Sequence, residues 1–210
     1  KGDLHMTKAL KYKSISNWDK MIDELDMAYN QHLYDIDNTT TPLMWYYGLA
    51  YFNKGQVDIA FDYFKKAYSI NPYHLHVINN LATCYGYNND YNKAKELYEE
   101  CVSISPRFEE SALNLAAIYS YEQRDEEALD ILLGVRNFRI ENNAHLSEAY
   151  IQYFNTIFSK LSNKILYDIE NEKKKILILA EDKKIFYKQV KKIYLMREKG
   201  NTYDIIIKNL

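Results

Sequence analysis

Two asparagines, Asn80 and Asn114, lie 34 residues apart in this chain of 210 residues. A carboxamide carries both hydrogen-bond donors and an acceptor, and the backbone of an extended peptide offers the complementary groups. Two such side chains at equivalent positions of a repeat could therefore clamp a peptide backbone. A solvated asparagine on a helix surface explains them equally well, so the pair indicates binding without proving it.

The other reactive side chains do not form a catalytic or metal-binding pattern. His74 and His76 are two residues apart, a spacing at which helical side chains point in different directions, and no acid or thiol with ligand spacing is nearby. The only cysteines, Cys84 and Cys101, lack C-x-x-C spacing and are expected to be buried, reduced thiols. Phosphate-binding and hydrolase motifs are missing from the sequence. We therefore expect no enzyme activity, no cofactor and no metal.

Charge is distributed unevenly along the chain. Residues 1–159 carry 14 Lys and Arg against 22 Asp and Glu, whereas residues 160–210 carry 13 against 7. A basic tail can meet a membrane surface or nucleic acid, but the solvated face of capping helices is the favoured interpretation, and we expect no nucleic-acid partner. No apolar run approaches the roughly 18 residues of a membrane span, and no signal peptide is recognisable. Residues 1–6 resemble a cloning remnant.

The interval of 34 residues also governs the apolar positions. Pro72 and Pro106 are one interval apart. The other recurring sets are Tyr51, Tyr85 and Tyr119; Ala60, Ala94 and Ala128; and Phe64, Tyr98 and Leu132. A fixed period of this length is typical of a stacked array of helix pairs.

The array contains three repeats, 41–74, 75–108 and 109–142, each with a first and a second helix. Apolar residues at i, i+1 and i+4 mark the first helices, and those at i, i+4 and i+7 mark the second. A small residue in each first helix, such as Gly48, is expected to let the second helix approach closely. The sequence predicts a degenerate repeat within residues 7–40, with Trp18, Met21, Leu25 and Ala28 on its second helix. It also predicts a basic helical cap over residues 143–210, with helices near 145–170, 173–198 and 203–209.

The second repeat resembles the tetratricopeptide repeat. The matching residues are Ile78, Leu81, Ala82, Tyr85, Ala94, Tyr98, Cys101 and Pro106. The resemblance implies an all-α fold in which helix pairs form a right-handed superhelix with a concave groove. It also implies a scaffold that binds a peptide or protein surface in that groove, without catalysis.

The resemblance further implies which side chains face the groove. They are Trp45, Tyr46, Leu49 and Phe52; Asn79, Asn80, Thr83 and Tyr87; and Leu113, Asn114, Ala117 and Tyr121. Exposed aromatic residues among them are expected to anchor a ligand, unless residues 1–31 cover Trp45 and Phe52. Related proteins that grip a C-terminal carboxylate use lysines where this chain has Trp45 and Glu110, so such a clamp is not expected.

A narrower similarity concerns the runs 45–52, 71–74, 79–85 and 103–110. They are similar to the soluble repeat tails of bacterial O-antigen ligase or polymerase proteins, which are membrane-embedded enzymes of polysaccharide assembly. This similarity implies an alternative function as an accessory domain, tethered to an inner-membrane protein on its cytoplasmic face. A free cytoplasmic scaffold is the other expectation for the compartment. A third possibility is an adaptor that uses the basic tail, and strongly salt-dependent binding would indicate it.

Overall fold

The computed structural model describes residues 2–29, 35–135, 148–165, 188, 192–193, 195–197, 199–202 and 205–206. The chain divides into two compact parts, which we call the N-terminal half (Lys1–Ile104) and the C-terminal half (Ser105–Leu210). Helices dominate the described residues, where the only β-type pairing is one antiparallel bridge between Ile36 and Pro42. The predicted all-α fold is therefore confirmed for the part of the chain that the structure describes.

Six helices lie in the N-terminal half and three in the C-terminal half, counting those with defined bounds. They are α1 (Gly2–Ser14), α2 (Trp18–Tyr29), α3 (Leu43–Asn53), α4 (Val57–Ile70), α5 (Leu75–Tyr87), α6 (Tyr91–Ile104), α7 (Glu109–Tyr121), α8 (Asp125–Val135) and α9 (Glu148–Ile165). Consecutive helices pack as the pairs α1–α2, α3–α4, α5–α6 and α7–α8. The three predicted repeats and the degenerate one are thus all helix pairs.

Each pair is joined by a turn with one residue in the left-handed conformation. The φ angle is +76° at Gly55, +61° at Asn89 and +62° at Gln123, which are equivalent positions of the three repeats, and +55° at Ser16 between α1 and α2. The same backbone hydrogen bond then closes each repeat turn, from Gln56 N to Tyr51 O at 2.9 Å, Asp90 N to Tyr85 O at 2.9 Å and Arg124 N to Tyr119 O at 2.8 Å. This pattern ends the first helix by satisfying a carbonyl that has lost its helical partner.

Small residues allow the two helices of a pair to approach closely, as the sequence predicted. At Gly48 in α3, an added Cβ would lie 2.5 Å from Cε1 of Phe64 in α4. Phe64 is completely buried there, together with Ala60 and Ala67. Alanines fill the equivalent contacts of the later pairs, at Ala82, Ala94, Ala116 and Ala128, all at most 1% exposed.

The degenerate repeat begins earlier than predicted. We expected its first helix near residues 8–15, but α1 begins at Gly2, and Ala9 is completely buried against α2. Nδ1 of His5 donates a hydrogen bond of 2.6 Å to Glu24, which ties the start of α1 to α2. The second helix agrees with the prediction, because Met21, Leu25 and Ala28 are its buried residues.

In the C-terminal half, α9 packs on α8 and α7. The aromatic rings of Tyr150, Phe154 and Phe158 follow one another at centroid distances of 6.1 Å, and all three are buried. The hydroxyl of Tyr150 donates to the carbonyl of Leu132 at 2.6 Å. These contacts are those expected of a capping helix. The prediction of helices over 173–198 and 203–209 falls largely outside the described residues.

Candidate peptide-binding site

The groove positions predicted for the N-terminal half lie on α3 and α5, but they differ in exposure. Trp45, Tyr46 and Asn79 are buried. Leu49, Phe52, Asn80 and Thr83 are half-buried, and Tyr87 is exposed. The site therefore contains fewer accessible side chains than the sequence indicated.

Trp45 is not the exposed anchor that we expected. Only 7% of the residue is exposed, and its indole N–H donates to Oδ1 of Asn80 at 2.8 Å and to the carbonyl of His76 at 3.3 Å. Nζ of Lys13, at the end of α1, lies over the ring. The alternative that N-terminal residues cover Trp45 is the one that the structure supports.

Tyr46 is also internal, since it holds the segment that precedes α3. Its hydroxyl donates to Oδ2 of Asp37 at 2.6 Å. The other oxygen of Asp37 accepts from Thr39 N, Thr39 Oγ1 and Thr41 N at 2.7–2.9 Å. Burial opposes ionisation of Asp37, but these hydrogen bonds outweigh it and lower its pKa. Burial and the contact with Asp37 raise the pKa of Tyr46.

Asn80 is held in one orientation by its contact with Trp45. An indole N–H can only donate, so the Asn80 atom that it meets must be the carboxamide oxygen. The amide nitrogen, with its two N–H donors, is consequently turned away from the indole. We expected this side chain to be exposed, but it is half-buried.

Thr83 uses its hydroxyl inside the helix pair, and its assignment to the groove stays a prediction. Its Oγ1 donates to the carbonyl of Asn79 at 2.9 Å and lies 2.9 Å from the hydroxyl of Tyr98 in α6. Burial is the main reason that the pKa of Tyr98 rises to about 12. Thr83 thus links α5 to α6, and its hydroxyl is committed to that contact.

An open aromatic patch lies at the C-terminal ends of α3 and α5. The rings of Phe52 and Tyr87 meet edge to face with centroids 5.5 Å apart, and Tyr87 is 63% exposed. Gly86 precedes Tyr87, and a Cβ added there would meet nothing within 4 Å. The α5 face is our name for three residues of α5, Asn80, Gly86 and Tyr87, together with Phe52 of α3.

The remaining predicted positions belong to α7 in the C-terminal half. Leu113, Asn114 and Ala117 are half-buried, and Tyr121 is 91% exposed. Tyr121 follows Tyr87 by one repeat interval, so the exposed tyrosine recurs. Asn80 belongs to the N-terminal half and Asn114 to the C-terminal half. The predicted spacing of about 10 Å between them therefore stays a prediction.

Two side chains that could do chemistry, His74 and Cys84, are packed among other residues of the fold. Nε2 of His74 is hydrogen-bonded to Oγ1 of Thr41 at 3.1 Å, and burial followed by repulsion from His76 lowers the pKa of His74. Burial raises the pKa of Cys84 to about 12, so its thiol stays protonated at neutral pH.

Sequence reasoning missed two polar clusters. One joins Lys13 and Asp37 to the aromatic rings of α3, and no periodic signal marks it because both residues lie outside the three repeats. The other is in the C-terminal half, where Ser120 Oγ donates to Asp125 Oδ1 at 2.7 Å and Lys160 Nζ of α9 donates to Ser120 Oγ at 2.6 Å. Ser120 precedes the turn and Asp125 begins α8, so only their separation of five residues hinted at a contact.

These features define an all-α repeat protein made of helix pairs. Residues 39–107 match the model of the tetratricopeptide repeat family, which covers the first two repeats. A MamA structure (MSR-1) is similar with a TM-score of 0.59 and 16% identity, over 86% of this chain and 97% of that one. Tetratricopeptide-like repeats of a putative kinesin light chain from Podosopora anserina are similar with a TM-score of 0.59 and 19% identity, over 85% and 92%. These likenesses support the tetratricopeptide-type fold.

One curated relative is the ycf37 protein of Pyropia yezoensis. It is 34% identical over 58 residues, which are 28% of this chain and 33% of that protein. The matched region thus spans about a third of that relative. None of the described helices in our chain is long and apolar enough to cross a membrane.

Proposed function

We propose that this chain is a non-catalytic interaction scaffold whose α5 face binds an extended segment of a partner protein. One observation carries the proposal: the 2.8 Å hydrogen bond from Trp45 that orients the carboxamide of Asn80. A donor that is already oriented loses little conformational freedom when it meets a peptide carbonyl. Trp45 is then a positioning residue, and Asn80 makes the contact.

The neighbouring aromatic patch supports the same function. Tyr87 presents a large ring with a polar hydroxyl, a combination that is enriched at protein interfaces. Because Gly86 has no side chain and open space above it, a ligand backbone can come close to α5 beside Tyr87. Asn80 and Tyr87 are seven positions apart on the helix, a rise of about 10.5 Å, which is close to the length of three extended residues.

We include the α7 positions in the proposal because they repeat the same side chains. Asn114 and Tyr121 follow Asn80 and Tyr87 by one interval, so α7 carries a second candidate surface of the same composition within the C-terminal half. Leu113 and Ala117 would supply apolar contacts on the α7 surface. Leu49 has this role on α3.

The experiment is a selection from a displayed library of random peptides against the whole chain, followed by affinity measurements with the variants. We expect Asn80→Ala to weaken binding by about 1–1.5 kcal/mol and Tyr87→Ala by at least about 1 kcal/mol. Trp45→Phe keeps an aromatic ring but removes the N–H, so it should also weaken binding. Tyr91→Ala is the matched control, because Tyr91 is 61% exposed but begins the second helix α6. If Tyr91→Ala and Tyr87→Ala affect the selected peptides equally, the α5 face is not the binding site.

The second candidate function is that of an accessory domain of an O-antigen ligase or polymerase. The runs 45–52 and 103–110 favour it through their similarity to the repeat tails of those enzymes. Cys84 and Cys101 are buried and form no disulfide, which is compatible with the reducing cytoplasm or the cytoplasmic face of the inner membrane. The sequence of the complete gene tests this proposal, since membrane spans encoded beside these repeats would support it and a gene without them would exclude it.

A further inference from the structure

The end of α1 places a lysine against an aromatic corner whose ring faces the proposed function does not use. Nζ of Lys13 lies 4.8 Å from the ring centroid of Trp45 and 5.7 Å from that of Tyr46. The two rings are 5.0 Å apart with an interplanar angle of 76°, so they form two walls that meet nearly at a right angle. An ammonium group at these distances is attracted by the negative faces of both rings.

A carboxylate completes the corner. Asp37 accepts the hydroxyl of Tyr46, and its charge acts on Lys13 without a direct ion pair among the described residues. Burial lowers the pKa of Lys13, and Asp37 partly offsets this effect. Two aromatic faces with one carboxylate are a combination that selects cations over neutral groups.

Contacts other than those of Lys13 hold α1 in place. Ala9 is completely buried, and the 2.6 Å hydrogen bond from His5 to Glu24 lies near the opposite end of the helix. Lys13 is in the last turn of α1, and its flexible stem can swing into solvent without moving the backbone. The lysine is therefore a removable occupant of the corner.

We propose that the corner formed by Trp45, Tyr46 and Asp37 is a binding site for a lysine or arginine side chain of a partner protein, and that Lys13 occupies it in the free chain. The ligand class is an alkylammonium or alkylguanidinium group, because the present occupant belongs to that class. The corner uses the ring face of Trp45 and the α5 face depends on its indole N–H, so the proposal stands whether or not a peptide binds at the α5 face. Lys13 competes from within the chain, so a free ligand binds weakly until that side chain is displaced.

The test uses the full chain with Trp18→Phe, which leaves Trp45 as the only tryptophan. The probes are n-butylammonium, which has the stem and charge of lysine, and n-butanol as its neutral counterpart. Binding is followed by the NMR signal of the Trp45 indole N–H and by Trp45 fluorescence. The variants are Lys13→Ala, which empties the corner, and Lys13→Met, which fills it with an uncharged chain of similar length.

We expect Lys13→Ala to bind n-butylammonium about tenfold more tightly than the parent chain does, and about tenfold more tightly than it binds n-butanol, as a desolvated cation–π contact requires. Lys13→Met should gain little, because its stem still covers the ring. Lys11→Ala, an exposed change in the same turn, should behave like the parent.

Three results would overturn the proposal. Equal affinity of Lys13→Ala for n-butanol and n-butylammonium would show that the corner does not select cations. Binding that leaves the Trp45 signal unchanged would place the site elsewhere. Unfolding of Lys13→Ala, judged by circular dichroism beside Lys11→Ala, would show that Lys13 is a structural support and not a displaceable occupant.

Discussion

α3 and α5 are the first helices of consecutive repeats, yet their predicted groove residues differ in solvent exposure. On α3, the predicted groove residues Trp45 and Tyr46 are only 7% and 5% exposed, because Lys13 and the segment 35–42 cover them. On α5, Asn80 is half-buried and Tyr87 is 63% exposed. Tyr46 and Asn80 occupy equivalent positions, so this position is core in the first repeat and part of a candidate binding surface in the second.

The difference follows from what precedes each helix. Residues 71–74 join α4 to α5 directly, with no room for a covering segment. Before α3, residues 35–42 form a turn that Asp37 holds through Thr39, Thr41 and Tyr46. Tyr46 is therefore covered by the segment that precedes its helix, whereas Asn80 has no such segment over it.

The largest test of this comparison is the removal of one aromatic ring from each helix. Trp45→Ala should lower the free energy of unfolding by about 3–5 kcal/mol, because it empties a packed, hydrogen-bonded position. Tyr87→Ala should cost less than about 1 kcal/mol, since most of the ring is in water. Urea denaturation measures both values, and similar losses would contradict the assignment of Trp45 to the core and of Tyr87 to the surface.

The glycines of the two helices sharpen the same contrast. Gly48→Ala should destabilise the fold by about 1–3 kcal/mol, because the new methyl group would press on Phe64. Gly86→Ala should stabilise it by about 0.5–1 kcal/mol, since a helical alanine is favoured where space is open. The melting temperatures of the two variants should shift in opposite directions. A shift in the same direction would contradict the described surroundings of Gly48 or of Gly86.

Acid should weaken the segment that covers α3. The pKa of His74 is lowered in the folded state, so below a pH of about 6.5 the unfolded chain binds a proton that the folded chain resists. Stability is therefore expected to fall as pH decreases from 7 towards 5.5. His74→Gln should reduce the slope of melting temperature against pH in this window. An unchanged slope would mean that protonation of His74 does not affect the stability of the fold.

The smallest expected effect concerns the turns that the repeats share. Gln123→Gly should stabilise the fold by about 0.5 kcal/mol, because glycine adopts a positive φ without steric cost. Asn89→Gly should gain less, since asparagine tolerates this conformation better than glutamine does. Chemical denaturation resolves the order of the two variants, and a larger gain at Asn89 would contradict this account.

Repetition made much of the fold predictable. The interval between Pro72 and Pro106 located α5 and α6, and the small residue at Gly48 correctly indicated where α4 approaches α3. The candidate site was less predictable. Tyr87 is exposed as required, but Trp45, Tyr46 and Thr83 have internal partners. These partners include Asn80, Asp37 and Tyr98, which lie on other elements than the residues they contact.

The sequence by itself determined that helix pairs repeat every 34 residues, which side chains form their seams and which turns join them. These properties are local, because helix periodicity and turn chemistry depend on neighbours a few residues apart. Only the tertiary structure decided that Lys13 covers Trp45, that Asp37 binds Tyr46, and that Asn80 is oriented while Tyr87 stays open. Such contacts join residues up to 35 positions apart, and their formation depends on how whole helices pack, which no local pattern of residue types encodes.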